Sequence, residues 1–242
     1  MKFNYGQFGC TGIIYDGVDV SDAFTVVDVS VPVLPSIEAV TQELAQRPGQ
    51  YFASRKVGTR EVKLKLALDA ESRCPVDIFK AWRDVSGVFN KPDPRRLYLG
   101  EGKFINALFV GESEIEDQGC KGVCELTFVC FDPFFYGERH DVALSGSTAF
   151  KVMGGVGAFP VIEATGAAGA LTVTNEATGE FVTVPNVSSS TKVVIDMAAQ
   201  RATANGAYAP VDLLSDFFMI DGEASIRLSG GSAKLSYEER YI

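Results

Sequence analysis

The side chains able to do chemistry are few and scattered. The single histidine, His140, stands beside Arg139, so a serine or cysteine triad would have to be built around that one ring, with its nucleophile in hydrogen-bond reach. No G-x-S-x-G elbow and no Walker-type phosphate loop occurs. Gly154-Gly155-Val156-Gly157 is glycine-rich, but it does not match G-x-G-x-x-G and lies in no strand–helix–strand setting, so it reads as linker. Two carboxylates suffice for glycoside hydrolysis. With 31 Asp and Glu in the chain, however, some pair always looks suitable, and a pair alone carries no information. The densest acidic run, Glu112 to Asp117 (ESEIED), places Glu112, Glu114 and Glu116 on one strand face. A cation site is one reading; a solvated edge that resists aggregation is the simpler one. The chain is therefore read as non-enzymatic, with no catalytic residue, metal or cofactor.

Five cysteines are an odd number for disulfide staples. Val123 to Phe131 (VCELTFVCF) reads as a strand with Cys124, Leu126, Phe128 and Cys130 on one face. Extended chain separates Cys124 from Cys130 by ~20 Å, too far for a disulfide. Zinc would need Cys10 or Cys74 to converge on Cys120 to Cys130, with no C-x-x-C pair and one histidine. All five are expected as free, mostly buried thiols.

The elements that carry these residues are mostly strands. Hydrophobic residues make up 46% and charged residues 22%, ordinary globular usage rather than disorder. A net charge of -9 argues against a surface that grips DNA phosphates. No apolar stretch approaches the ~20 residues of a membrane span. The opening MKFNYGQFGC has no apolar core and is not a signal peptide, so synthesis and assembly are expected in a cytoplasm. Asp16-Gly17 marks a hairpin turn, Phe24 to Val33 reads as a β-branched strand, and Glu61 to Leu68 alternates with Val62, Leu64, Leu66 and Leu68 inward. Gln46 to Thr59 (QRPGQYFASRKVGT), with two glycine-marked turns around an aromatic, basic run, reads as an exposed hairpin arm. One helix is expected at Pro75 to Ser86, preceded by Ser72 or Cys74, with Ile78, Trp82 and Val85 on its buried face, Phe79 flanking and Gly87 ending it. Gly146 to Pro160 reads as a connection. Beyond it, strands are expected at Ala170 to Thr174, Phe181 to Val184, Lys192 to Asp196, Phe217 to Ile220 and Ser225 to Ser229.

The order of these features resembles the siphophage distal tail family. The aromatic-rich stretch ending at Asp16-Gly17 is followed by a β-branched strand. Gly58, Arg60 and Val62 then fit a G-x-R-x-[IV] pattern after the arm. A helix carrying Trp82 follows, then KPDPRRLY at Lys91 to Tyr98. The most specific item of resemblance is F-x-C-x-D-P-F-x-Y-G, met here by Phe128, Cys130, Asp132, Pro133, Phe134, Tyr136 and Gly137. AFPVI at 158–162, VID at 194–196, LSDFF at 214–218 and the closing Glu239-Arg240-Tyr241 extend the likeness over nearly the whole chain.

The resemblance implies a mainly β fold: an N-terminal domain over 1–139 with one helix at 75–86 and an arm at 46–59, a linker at 140–157, and a C-terminal galectin-like β-sandwich over 158–242. It implies a structural protein at the distal end of a virion tail. A hexameric ring of the N-terminal domains would join the tail tube protein to the baseplate hub. The tape measure protein and a receptor-binding protein are further expected partners, with no membrane contact and DNA only in transit. The arm residues Arg47, Tyr51, Phe52, Arg55 and Lys56 would reach a neighbouring subunit. Arg60, Trp82, Asp132, Pro133, Phe134, Tyr136 and Gly137 would be structural. A lone hairpin has too little core of its own, and a closed ring satisfies a head-to-tail interface. The alternative reading is a carbohydrate-binding module, for which Tyr208, Phe217 and Phe218 are the candidate platform.

Overall fold

In the computed structural model, residues 12–43, 45, 48–69, 75–100, 102–117 and 121–242 are described. They form two units, one running to Phe135 and one spanning Tyr136–Tyr241. In the first, Asp16 and Gly17, both with positive φ (50° and 80°), fold β1 (Ile14–Tyr15) onto β2 (Val18–Asp19), as the hairpin turn with two left-handed residues requires. The Asp19 carboxylate accepts from Ser21 N at 2.8 Å and caps a short 3-10 turn that leads into β3 (Thr25–Ser30). Next come β4 (Ile37–Glu43), β5 (Gln50–Val57), β6 (Arg60–Asp69), helix α1 (Pro75–Ser86), β7 (Arg95–Tyr98), β8 (Phe104–Phe109), β9 (Ile115–Asp117) and β10 (Lys121–Cys130).

The frame of this unit is the antiparallel ladder of β6 on β10, from Arg60 opposite Cys130 to Asp69 opposite Lys121. Register makes the two alternating apolar sets coincide: Val62 faces Phe128, Leu64 faces Leu126 and Leu66 faces Cys124, all buried. A one-residue slip would turn one strand's apolar set to water while the other's stays inside, which is why the register is fixed. β3 adds to the far side of β6, while β8, β7, β1 and β2 continue from β10, with β9 also on β10. Tyr15, Phe24, Phe89, Phe109 and Phe128 fill the core with tilted and edge-on ring contacts at 5.2 to 6.1 Å. Burial raises the Tyr15 phenol pKa, and its hydroxyl donates to Ala107 O at 3.2 Å.

Helix α1 seats on β6 and β10 through Ile78 and Trp82. The Trp82 Nε1–H donates to Gly122 O at 3.3 Å, and its ring lies 4.9 Å from Phe24. Gly122 permits this approach, since a Cβ there would come within 2.5 Å of Ile78 and 2.7 Å of Trp82. Phe79, expected to flank the packed face, is instead 59% exposed, because it sits one residue round the helix from Ile78, towards solvent. The side chain of Val85 and the expected cap residues Ser72 and Cys74 lie outside the described residues.

The second unit contains most of β11 (Phe135–Leu144), then β12 (Ser147–Lys151), β13 (Val161–Thr165), β14 (Gly169–Asn175), β15 (Phe181–Val187), β16 (Val193–Asp196), β17 (Arg201–Ala204), β18 (Ala207–Ala209), β19 (Glu223–Leu228) and β20 (Ser232–Tyr241). One sheet has the order β18-β17-β16-β13-β20-β11, the other β12-β19-β14-β15. Ile162, Ile195 and Leu235 from the first share a core with Leu171, Val173, Val182 and Ile226 from the second, so the unit is a two-sheet sandwich.

Two expectations are corrected here. The 140–157 segment is not a linker: it supplies the end of β11 and all of β12, with Leu144 and Val152 buried. Its glycines serve a turn at Gly146 (φ 64°) and a tight approach, where Gly155 N donates to Arg240 O at 2.8 Å. The 217–220 segment is not a strand but an irregular run that buries Phe218 and Ile220 and bridges only Ala158 to Ile220.

Candidate functional site

The feature that asks for a function is the arm. β4 and β5 pair only with each other, and of their residues Val57 alone is even half-buried. The hairpin therefore starts nine residues earlier than the sequence reading placed it: Ile37–Glu43 is its first strand, and Gln50–Val57, within the 46–59 stretch, is its second. Its root is fastened by Ser36 N donating to Thr59 O at 3.2 Å and Gly58 N donating to Ser36 O at 2.8 Å. A Cβ on Gly58 would force the Ser36 hydroxyl to rotate away.

A bulge decides which side chains share a face. Val40 pairs with Ser54 but Thr41 pairs with Phe52, leaving Ala53 as the extra residue. Cross-strand partners share a face, so Ile37, Ala39, Thr41 and Glu43 lie with Val57, Arg55, Phe52 and Gln50. Glu38, Val40 and Gln42 lie on the other face with Lys56, Ser54 and Tyr51. Without the extra residue Phe52 would fall on the opposite face from Val57. Each face thus carries exposed apolar bulk: Phe52 (58% exposed) with Ile37 on one, Tyr51 (54%) with Val40 on the other. Arg55 and Lys56 are exposed, with Lys56 directly opposite Glu38. Arg47 lies outside the described residues.

The remaining singled-out residues fall into both units. Arg60 heads β6 just after the arm and is 2% exposed. Its Nη1 donates to Pro32 O at 2.9 Å and its guanidinium lies 4.9 Å over the Phe135 ring. Burial lowers the Arg60 pKa, and its Nε and Nη2 have no hydrogen-bond partner among the described residues. Opposite it, burial pushes the Cys130 thiol up to about 12. The Asp132 carboxylate accepts from Phe134 N at 3.4 Å, a local turn, and Pro133 is buried. In the second unit, Tyr136 and Gly137 open the sandwich. A Cβ on Gly137 would meet Glu239 at 2.5 Å and the Tyr241 ring at 3.2 Å. His140 bonds Glu239 Oε1 at 2.8 Å and stacks on Tyr237 at 5.2 Å. The hydroxyl of Tyr241, then the His140 ring, hold the Glu239 carboxyl below its ordinary range. Of the three candidate sugar-platform aromatics, Phe218 is core (1% exposed) and Tyr208 stands out at 78%. Among the described residues these are packing arrangements and an exposed arm.

Comparison with known proteins matches the same two units. Residues 16–130 fit the phage tail protein RIFT-related domain, and residues 153–241 fit the siphovirus-type tail component, C-terminal domain. The crystal structure of phage SPP1 Dit (gp 19.1), described as a paradigm of the hub adsorption apparatus in phages infecting Gram-positive bacteria, superposes at a TM-score of 0.82. It does so at 17% identity, over 96% of this chain and 99% of that one. The chain belongs to the siphophage distal tail protein family. A chain in the phage P2 baseplate, in its activated conformation with Ca, also matches this chain, at 10% identity and a TM-score of 0.49 over 94% of this chain and 97% of that one. No curated protein sequence matches it significantly. The distal tail protein is thus a structural component of the virion at the tail end.

Sequence reasoning missed half of the arm in this distal tail protein. Ile37–Glu43 (IEAVTQE) has no clean period of two, since Glu38 and Val40 share a face. The available signal was Pro48-Gly49: a turn dipeptide before an eight-residue strand requires a partner strand of similar length upstream.

Proposed function

We propose that this distal tail protein forms a closed, hexameric ring in which the arm of each subunit packs on its neighbour, joining the tail tube to the baseplate hub. The supporting observation is the arm itself: a two-stranded ribbon with no core of its own, carrying aromatic and β-branched residues on both faces. Such a ribbon is marginal in water. Covering the exposed part of Phe52 and of Tyr51 would each stabilise the assembly by about 1–2 kcal/mol. Neighbouring subunits in a ring supply that cover, and each interface would bury on the order of 800 Å² per partner. The sandwich unit then serves as a support for receptor-binding protein, and the tape measure protein meets the ring from the tube side. Assembly takes place in the host cytoplasm. The acidic balance suits a channel through which DNA passes without adhering.

Replacing residues 37–57 with a short Gly-Ser turn between Ser36 and Gly58, at the root of the hairpin, tests the arm. Light scattering and negative-stain images should show a folded subunit that no longer closes rings. An unfolded product would place the segment in the core and refute its role as an arm. An amber mutation in the gene should give filled heads without tails. Full-length tails that merely fail to adsorb would make the protein a peripheral adhesion module instead.

A further inference from the structure

The first unit contains a hollow that the fold itself does not fill. Trp82, Phe89, Phe109 and Leu126 form its floor, and Ser86, Asn90, Lys91 and Ser113 its mouth, enclosing about 260 Å³. Trp82, Phe89 and Leu126 are otherwise core residues, each at 4 to 5% exposure, so the hollow is an opening into the aromatic core. Its volume falls below the ~300 Å³ at which small-molecule pockets begin. The rim cation Lys91 is already held by Asp16 at 2.8 Å, which leaves the site without a charge to fix a polar ligand. Beside it, helix α1 presents Val76 and Phe79, 69% and 59% exposed. Those two lie on one stripe with Arg83 and Ser86, and Ser86 is on the rim of the hollow. A stripe that begins apolar at Val76 and Phe79 thus leads, past Arg83, to the rim of an apolar socket.

We propose that this socket receives Phe52 from the arm of a second copy of this chain. The inference rests on the arm being an inter-subunit element and names the surface it reaches. A side chain enters such a socket tip first. The tip must be apolar to meet Trp82 and Phe89, which selects Phe52 over Tyr51, whose hydroxyl would be driven into the floor without a partner. The bulge at Ala53 sets Phe52 on the same face as Ile37 and Val57, which then lie over Val76 and Phe79. Glu43 and Arg55 share that face of the arm, and Arg83 stands exposed on the stripe with Val76 and Phe79. Tyr51 and Val40 face away from the socket.

Two variant sets test this on the full chain. Ser113→Phe and Ser86→Phe, at exposed rim positions, plug the socket from outside. Each should weaken ring assembly at least tenfold in the concentration required, with unit 1 still folded by circular dichroism. Phe52→Cys combined with Ser113→Cys should give a non-reducing ladder of covalently linked subunits, absent from either single variant. Rings that assemble as well in the plugged variants as in the wild type, with no ladder from the double variant, would overturn the socket while leaving the arm reading intact. A wild-type protein that stays monomeric at every concentration would sink the arm reading, and the socket with it.

Discussion

Gly122→Ala should loosen helix α1 from its sheet. Built on the present backbone, the new methyl lies 2.5 Å from Ile78 Cγ2, 2.7 Å from Trp82 Nε1 and 3.0 Å from Ile115 Cγ2. Carbon atoms at rest sit about 3.5–4.0 Å apart, so the helix must lift by roughly an ångström. Ile78 and Trp82 are 2% and 5% exposed, so moving either means repacking the core around the helix. Overpacking of this kind costs about 1–3 kcal/mol. Stretching the bond from Trp82 Nε1 to Gly122 O adds about 0.5–1.5 kcal/mol. The stiffer unfolded chain returns about 0.4–1 kcal/mol. The net loss is about 0.5–4 kcal/mol, a fall in Tm of roughly 2–16 °C for a domain of this size. The chain has one tryptophan, so its fluorescence follows the first unit alone. The variant should show an earlier fluorescence transition and a red-shifted native emission, with the sandwich melting where it did before. Unchanged emission and unchanged Tm would refute the view that Gly122 is there to admit the helix.

Four shorter predictions follow. Arg60→Met should keep or raise the melting point of the first unit, since an apolar side chain of similar length replaces a buried charge with unmet donors. It should weaken ring assembly by freeing the Pro32 carbonyl before the arm; a large loss of stability would contradict this. Alkylation of denatured, unreduced protein should add five labels by intact mass, while in native protein at pH 8 Cys124 and Cys130 should stay unlabelled, being buried with raised pKa values. Asp141 bonds Lys234 and Ser236, which hold its pKa at about 2, below the usual 3.8. Its contribution to stability is therefore present above pH 3.8 and lost as pH falls through 2, so wild type and Asp141→Asn should differ in Tm near neutrality and converge at the acid end. Simple saccharides should not bind; a submillimolar Kd abolished by Tyr208→Ala would favour the carbohydrate-binding reading.

The parts legible in the sequence were those where one residue pattern has one physical outcome. Period-two burial gave the inward sets of β6 and β10, Asp16-Gly17 gave the first hairpin, and Pro75 with Ile78 and Trp82 gave the helix. Where composition stands in for geometry, the reading failed. Glycine and serine at 146–157 look alike whether they make a linker or allow backbone to pass close to Arg240. Phe217 to Ile220 alternates in burial without laddering, because an irregular segment can also point every second side chain inward. Which face Phe52 occupies depends on the one-residue bulge at Ala53, a long-range register effect that no local pattern encodes. Arg60 was picked out by resemblance, but its burial could not be read from a charged residue heading an amphipathic strand.

The placement of β20 has a consequence for the timetable of synthesis. This strand is the last in the chain order yet lies between β13 and β11, and until Ser232–Tyr241 has been made those two strands have a gap where their shared neighbour belongs. Strands β11 to β19 therefore leave the ribosome as an incomplete sandwich, one sheet of which is split between β13 and β11. The ladder of β6 on β10 is complete roughly a hundred residues sooner, at the ~5–20 residues per second of translation. A nascent chain thus passes through a window of at least several seconds in which its arm-bearing unit can fold while its sandwich cannot. In a polysome that window favours encounters between first units on neighbouring chains, and it exposes half-made sandwiches to chaperones and proteases.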